Sequence, residues 1–82
     1  MIILISSSQI KAARSLLGWT SSVLAENSEV GLMTIRRYEA ANGIPDGRVA
    51  QLLKIKATLE GAGIEFLGDP LESPGVRLHR RD

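Results

Sequence analysis

A chain of 82 residues, 44% of them hydrophobic and 23% charged, has the composition of one soluble globular domain, neither disordered nor fibrous. Ten Lys or Arg against nine Asp or Glu leave a net charge of +1, so overall charge does not by itself indicate a nucleic-acid binder. The lack of cysteine excludes a disulfide framework and a thiolate metal site. Because a domain this small buries only about 60% of its unfolded surface, we expect a homodimer.

The chain opens with an apolar run over residues 1–5, in which three isoleucines are β-branched. The run is shorter than the roughly 7 to 15 apolar residues of a signal peptide and the roughly 20 of a membrane span. It predicts instead a strand that is covered on both faces, by this chain or by a second copy. We therefore expect no membrane association and a cytoplasmic location.

The first helix is predicted over residues 9–17, after a polar break of three serines that offers an N-cap. Its apolar residues have the spacing of a core-facing stripe, formed by Ile10, Ala13, Leu16 and Leu17. Gly18 follows the stripe and is expected to end the helix in a left-handed conformation.

Residues 20–39 are predicted to form two short helices joined by a tight turn. Two apolar pairs have the spacing of hydrophobic staples, whose side chains lie just before and four residues after an N-cap. These pairs are Trp19 and Leu24 around Thr20, and Val30 and Ile35 around Gly31. The turn falls on residues 27–29, where a left-handed Glu29 would cost on the order of 1 kcal/mol.

The third helix is predicted from Leu32 to about Ala41, because Pro45 cannot continue it. Asp46 is expected to cap a fourth helix. The inner face of that helix is predicted to consist of Val49, Leu52, Leu53, Lys56 and Leu59. The apolar period then changes to two around residues 64–66 and 76–79, which predicts a β-hairpin with an eight-residue loop. Such a hairpin needs support from the fourth helix, the N-terminal strand or a partner's strands.

The segments IKAARSLLGW, LAE and TIRRYEA resemble the Cro/repressor-type (Xre-like) helix-turn-helix regulators over residues 9–62. LEGAGIEFL and PGVRL are similar to a subgroup of short bacterial regulators that end in a β-hairpin. The resemblance implies a mainly α fold, a four-to-five-helix lambda-repressor-like helix-turn-helix domain with a small C-terminal β-hairpin. In this single domain, residues 8–62 form the helical core, residues 64–80 form the hairpin, and residues 1–5 would add an N-terminal strand.

The resemblance also implies which residues contact DNA. By position they lie at the start of the second helix and on the exposed face of the third, with Arg36 beside them: Ser21, Leu32, Met33, Thr34, Arg36 and Arg37. Leu and Met can contact only thymine methyls or other apolar edges, so the two arginines would carry guanine recognition. The family also pairs an arginine of the first helix with a glutamate that ends the third, here Arg14 and Glu39.

The implied function is a homodimeric transcriptional regulator that binds double-stranded DNA at a palindromic operator, with the third helix in the major groove. A second hypothesis is a protein-interaction module, an antiactivator or antitoxin-like partner with a degenerate helix-turn-helix. The apolar pair Leu32 and Met33 and the near-zero net charge motivate this alternative.

Enzyme chemistry is not expected, because one histidine, no cysteine and no glycine-rich phosphate loop leave no nucleophile-base pair. For the same reason we expect neither a cofactor nor a metal. The basic residues near the C-terminus are interpreted as a solvated strand face or tail, with phosphate contacts as the alternative: Arg77, His79, Arg80 and Arg81.

Overall fold

The computed structural model of the protein describes residues 4–80. These residues form four helices followed by an antiparallel pair of strands. In chain order the elements are α1 (Ser7–Leu17), α2 (Ser21–Ser28), α3 (Leu32–Ala40), α4 (Val49–Gly61), β1 (Ile64–Leu67) and β2 (Gly75–Leu78). The prediction of a mainly helical domain with a C-terminal hairpin is therefore confirmed.

Helix α1 begins two residues before the predicted start, because Ser6 is its N-cap. The Ser6 hydroxyl accepts a hydrogen bond from the Gln9 backbone at 3.3 Å, and the Gln9 side chain accepts one from the Ser6 backbone at 2.9 Å. This capping box satisfies two amides at the helix start. Gly18 ends α1 with φ +70°, as predicted. Leu16 was expected in the core but is 44% exposed.

The junction between α2 and α3 follows the prediction closely. The Thr20 hydroxyl caps α2 by accepting a hydrogen bond from the Val23 backbone at 3.2 Å. Glu29 adopts the left-handed conformation, and within residues 4–80 it is the one non-glycine residue with a positive φ. The Ser28 hydroxyl donates to the Leu24 carbonyl at 2.7 Å and accepts from the Val30 backbone at 3.3 Å. Ser28 thus connects the end of α2 to the chain that enters α3.

The predicted start of α4 is wrong. The helix begins at Val49 with Arg48 in the N-cap position and no side-chain cap, so Asp46 does not cap it. The physical reason lies at Gly47, whose φ of +134° turns the chain away from helical geometry. A Cβ at this glycine would lie 2.7 Å from the Tyr38 hydroxyl. Close packing against Tyr38 therefore delays the helix until after the glycine.

The predicted inner face of α4 is correct only in part. Its fully buried residues are Leu52, Ile55 and Leu59, whereas Val49 is 48% and Leu53 39% exposed. The half-buried Lys56 lies along apolar surface as expected, with its ammonium 5.9 Å from the centre of the Phe66 ring. Because α4 carries apolar residues on almost every side, spacing alone could not determine which of them face the core.

The C-terminal hairpin pairs Ile64 with Leu78 and Leu67 with Gly75 in antiparallel register. It is held against the helices from two sides, since β2 contacts α1 and β1 contacts α4. The Gln9 side-chain amide donates to the carbonyls of Leu67 and Gly75, at 3.2 and 3.1 Å. One α1 residue therefore joins both strands at the end of the hairpin nearest its loop.

The loop between the strands is ordered by Asp69. Its carboxylate accepts hydrogen bonds from the backbones of Leu71 and Glu72, at 2.8 and 2.9 Å. These two N–H groups, that of Glu72 first, lower the pKa of the Asp69 carboxyl below its usual value. The loop is therefore a compact turn closed by its own side chain.

The predicted N-terminal strand covers residues 1–5, of which the structure describes two. Leu4 and Ile5 have no strand conformation, and the rest of the segment, residues 1–3, lies outside the described residues. Ile5 is completely buried and packs in the core. The backbone N–H of Ser7, two residues further along the chain, donates to the Gly43 carbonyl at 2.9 Å. Over the described residues, the chain thus enters α1 in contact with the loop after α3.

The core lies where the four helices and the inner face of the hairpin meet. Its buried hydrophobic residues are Ile5, Ile10, Ala13, Leu24, Val30, Ile35, Tyr38, Leu52, Ile55, Leu59 and Ile64. Half-buried Trp19, Phe66 and Leu78 pack around it. Within residues 4–80, no helix has the length and apolar character needed to cross a membrane.

Candidate functional site

The exposed side of α3 is the surface on which the predicted site residues meet. Ile35, Tyr38 and Glu39 face inward and are buried. The opposite side carries the four exposed residues Met33, Arg36, Arg37 and Ala40, which we call the outer face of α3. Met33 is the most exposed large hydrophobic residue in the described part of the chain, at 74%. The Met33 thioether and the guanidinium groups of Arg36 and Arg37 are therefore accessible to a binding partner.

The other predicted site residues lie at the borders of this surface. Leu32 and Thr34 are half-buried on either side of the outer face, because their helical positions fall between the exposed and buried sides. Ser21 is the first residue of α2 and is also half-buried. The structure thus brings Met33, Arg36 and Arg37 together as the open centre, with Leu32 and Thr34 at its edges and Ser21 on the neighbouring helix.

Arg37 lies against an aromatic ring. Its guanidinium carbon is 5.5 Å from the centre of the Tyr38 ring, the geometry of a cation–π contact. The Tyr38 hydroxyl in turn donates to the Arg48 carbonyl at 3.5 Å. The Arg37 side chain therefore leans over the end of α3 toward the loop that leads to α4.

The inner side of α3 is tied to α1 by a two-bond ion pair. Arg14 donates through Nε and Nη2 to the two carboxylate oxygens of Glu39, at 2.8 and 3.1 Å. Its Nη1 donates to the Trp19 carbonyl at 2.9 Å. This confirms the expected Arg14 and Glu39 pair and adds a third bond. One arginine thereby fixes α3 relative to both α1 and the chain that enters α2.

The C-terminal end of α3 is held by a second contact with α1. The buried Ser7 hydroxyl donates to the Tyr38 carbonyl at 2.6 Å. The same carbonyl also accepts the backbone N–H of Ala41, the residue that ends α3, at 3.4 Å, so the Ser7 hydroxyl adds a second and shorter hydrogen bond. The two contacts, at Glu39 and at the Tyr38 carbonyl, therefore both anchor the C-terminal end of α3 on α1.

Arg48 is a candidate that the sequence analysis missed. It is exposed and directly precedes α4, and its carbonyl lies next to the Tyr38 hydroxyl. The backbone of Arg48 therefore lies beside the C-terminal half of α3. Arg48 is the only basic residue between α3 and α4, which was a usable signal. With Asp46 predicted as the cap of α4, Arg48 was expected inside that helix and not in the loop beside α3.

The basic residues of the hairpin form a separate group. Glu65 lies 2.7 Å from the His79 ring nitrogen and 3.6 Å from an Arg77 guanidinium nitrogen. The hydrogen bond with His79, and to a lesser degree the charge of Arg77, hold the pKa of the Glu65 carboxyl below its usual value. Arg80 is exposed beyond the strand, and Arg81 lies outside the described residues. This pairing favours the interpretation as a solvated strand face.

The outer face of α3 combines hydrogen-bond donors with one apolar contact, a chemistry suited to binding. Guanidinium groups pair with base edges or phosphates, and a thioether packs on methyl groups.

Within residues 4–80, no three His, Asp or Glu side chains are grouped so that they could hold a metal ion. No protein-family model matches the chain, and a search of curated proteins finds no matching sequence.

Proposed function

We propose that the protein is a sequence-specific DNA-binding transcriptional regulator of the Cro/repressor (Xre-like) kind. In this proposal α2 and α3 are the helix-turn-helix of a lambda-repressor-like domain, and α3 is the recognition helix. The observation that carries it is the division of α3 into two sides. Glu39 on the inner side is locked to Arg14, while Arg37 and Met33 on the outer face are open to a partner.

In this arrangement α3 lies in the major groove with its outer face toward the base edges. Arg37 is the residue for guanine, because a guanidinium can donate two hydrogen bonds to O6 and N7 of that base. Met33 contacts a thymine methyl. Arg36 and Arg48 flank the centre and neutralise phosphates, which adds affinity without sequence preference.

The residues at the borders of the outer face have supporting roles. The Thr34 hydroxyl can hydrogen-bond a base or a phosphate, and Leu32 can add an apolar contact. Ser21, at the start of α2, offers its hydroxyl and backbone N–H to a phosphate. Two protomers would place their α3 helices in successive major grooves, so the operator is expected to be palindromic, with half-sites about 10 bp apart or a multiple of it. Transcription regulation of this kind takes place in the bacterial cytoplasm.

The decisive experiment compares Arg37→Ala with Arg77→Ala in mobility-shift titrations on DNA selected from random sequences. Both variants lose one exposed arginine, but only Arg37 lies on the outer face of α3. We expect Arg37→Ala to weaken binding by about 1 to 3 kcal/mol and to relax the preference at one base pair. Arg77→Ala should leave the base preference intact. Unchanged affinity and preference in Arg37→Ala would refute the assigned role.

A third variant separates base recognition from charge. Arg37→Lys keeps the positive charge but loses the two-pronged hydrogen bonding of the guanidinium. We expect Arg37→Lys to bind unselected DNA nearly as well as the parent protein while losing discrimination at the same base pair. Equal discrimination by lysine would mean that Arg37 contacts only phosphate.

The alternative function, a protein-interaction module, is motivated by the 74% exposure of Met33 beside the half-buried Leu32. An apolar tip of this kind also suits a protein partner. Isolation of a stable hetero-complex, together with no salt-dependent DNA binding at low ionic strength, would favour this function. Salt-dependent binding to one selected sequence would favour the regulator.

A further inference from the structure

A cavity of about 280 Å³ lies between the C-terminal end of α3 and the loop that leads to α4. Beside the Tyr38 ring, it is lined by Arg37, Ala41, Asn42, Ile44, Pro45 and Asp46. Its volume is slightly below the roughly 300 to 1,000 Å³ of cavities that hold drug-sized ligands. The cavity therefore fits a molecule of few atoms.

Two opposite charges line this cavity. Arg37 and Asp46 are both exposed, and neither forms an ion pair with another residue in the range 4–80. Asp46 is also free of the capping role that its position suggested, because α4 starts three residues later. A guanidinium and a carboxylate are thus both available to a ligand in the same space.

The remaining wall is apolar and is held in place by the fold. Ile44 is half-buried and Pro45 is buried, so they form a floor of hydrocarbon. The Gly43 carbonyl accepts the Ser7 backbone N–H at 2.9 Å, and Gly47 packs on the Tyr38 hydroxyl. Both ends of the loop are therefore anchored. A site that is formed before the ligand arrives loses less conformational entropy on binding.

We propose that this cavity binds a free α-amino acid with an apolar side chain of about leucine size. Its carboxylate pairs with Arg37, its ammonium group pairs with Asp46, and its side chain lies on Ile44 and Pro45. A simple anion would be repelled by Asp46 and a simple cation by Arg37, whereas a zwitterion satisfies both charges. The Asn42 amide can donate to the carboxylate or accept from the ammonium group.

The ligand competes with DNA for one side chain, a consequence that rests on the proposed function. Arg37 is the residue proposed to contact guanine, and its guanidinium already leans over Tyr38 toward the cavity. A ligand carboxylate paired with this guanidinium removes it from the base. The amino acid therefore weakens DNA binding, and by linkage DNA weakens binding of the amino acid by the same factor.

Calorimetric titration of the full chain with L-leucine, in the absence of DNA, tests the site directly. Leucinamide lacks the carboxylate, and N-acetyl-leucine lacks the ammonium group. We expect saturable binding of L-leucine and at least about tenfold weaker binding of each analogue, a difference of about 1.4 kcal/mol. No saturation up to about 10 mM, ten times a millimolar dissociation constant, would overturn the site, as would equal binding of all three compounds.

The L-leucine affinity of the variant Asp46→Asn, compared with that of the control Glu26→Gln, shows whether the ligand binds in this cavity. Both variants neutralise one exposed carboxylate, but Glu26 lies on α2, away from the cavity lining. Asp46→Asn should weaken L-leucine at least about tenfold. It should not weaken N-acetyl-leucine, which has no ammonium group to lose a partner, and it should strengthen binding of this anion by removing the repulsion from Asp46. Glu26→Gln should match the parent protein. Equal L-leucine affinity in all three proteins would overturn the assignment.

The DNA titration is then repeated with saturating L-leucine. Weaker DNA binding in L-leucine supports competition for Arg37, provided that N-acetyl-leucine at the same concentration leaves the DNA affinity unchanged. Leucine binding with unchanged DNA affinity would overturn the competition. Leucine binding by a protein that binds no DNA would support the amino-acid site and refute the proposed regulator, so the two failures are distinguishable.

Discussion

Glu29 bears the clearest backbone strain at the scale of single residues. Its φ of +61° places an ordinary side chain in the left-handed region, which favours glycine. The residue closes α2, and only two residues separate it from the first residue of α3. The geometry of that turn sets the angle between the two helices, so the chain accepts local strain to obtain it.

Glu29→Gly should raise the stability of the protein. Relief of the left-handed conformation gains about 1 to 2 kcal/mol, and the extra freedom of glycine in the unfolded chain costs about 0.5 to 1 kcal/mol. We expect a net gain of about 0.5 to 1 kcal/mol in urea unfolding followed by circular dichroism. Glu26→Gly, in the interior of α2, is the control and should lose about 0.5 to 1 kcal/mol. A loss in both variants would show that Glu29 is not strained.

The local sequence predicts the conformation of a residue well where the type of that residue determines a cap or a turn. Gly18, Thr20 and Glu29 were all identified because caps and turns depend on residue type within a few positions. Asp46 was misassigned for the opposite reason. The deciding contact there is the packing of Gly47 on Tyr38, which lies nine positions away in the chain and has no signature in the local sequence.

Gln9 links two elements that are far apart in the sequence. Its carbonyl oxygen completes the capping box of α1, while its amide nitrogen donates to one carbonyl in each strand of the hairpin. Gln9 is 3% exposed, so these hydrogen bonds have little competition from water. A two-stranded hairpin is marginal by itself, and this side chain helps attach it to the helices.

Gln9→Glu tests the donor half of this link. The acceptor for Ser6 is kept, but a carboxylate oxygen now faces two carbonyl oxygens, and we expect a loss of about 3 kcal/mol at pH 7. Burial beside carbonyls raises the pKa of the new carboxyl above its unfolded value of about 4.3. The folded state then binds the proton more tightly, so the loss should shrink as pH falls toward about 5.

Urea unfolding of the parent protein and the variant at both pH values measures this effect. Asn27→Asp is the matched control, since it makes the same amide-to-carboxylate change at an exposed position. The control should change stability by less than about 0.5 kcal/mol at either pH. A loss in Gln9→Glu that is the same at both pH values would mean that the amide does not act as the donor to the hairpin.

Whole elements were predictable where their apolar residues fall on one side. The inner side of α3, with Ile35 and Tyr38, is such a case, and the outer face follows from it by helical periodicity. Helix α4 is apolar on more than one side, so Leu53 was placed in the core and Ile55 was overlooked. The cavity beside Arg37 could not be predicted, because it depends on the path of a loop.

At the scale of the whole molecule, the proposed regulator requires two copies of the chain. Exposed Leu16, Val49 and Leu53 add apolar surface that one copy leaves in contact with water. We expect light scattering at micromolar concentration to give twice the 8.9 kDa mass of one chain. A monomeric mass in the same range would contradict the homodimer.

The two-fold symmetry of the proposed homodimer allows a second test, in which the spacing between the two operator half-sites is changed. Two rigidly joined recognition helices fit half-sites on one side of the duplex, about 10 bp apart or a multiple of it. Insertion of about half a helical turn, roughly 5 bp, between the half-sites should therefore reduce binding to the level of a single half-site. Undiminished affinity would indicate protomers that bind independently.

The glycine that starts the hairpin sets a limit on how this chain can vary. Gly63 has φ +108°, and a Cβ there would lie 2.7 Å from the His79 carbonyl oxygen. Its own carbonyl accepts the His79 backbone N–H at 2.8 Å, so the two chains cannot separate to make room. During evolution, an exposed loop position such as Glu72 can change its side chain, whereas Gly63 has no substitute. We therefore expect natural variants to diverge in the loop while this glycine remains invariant.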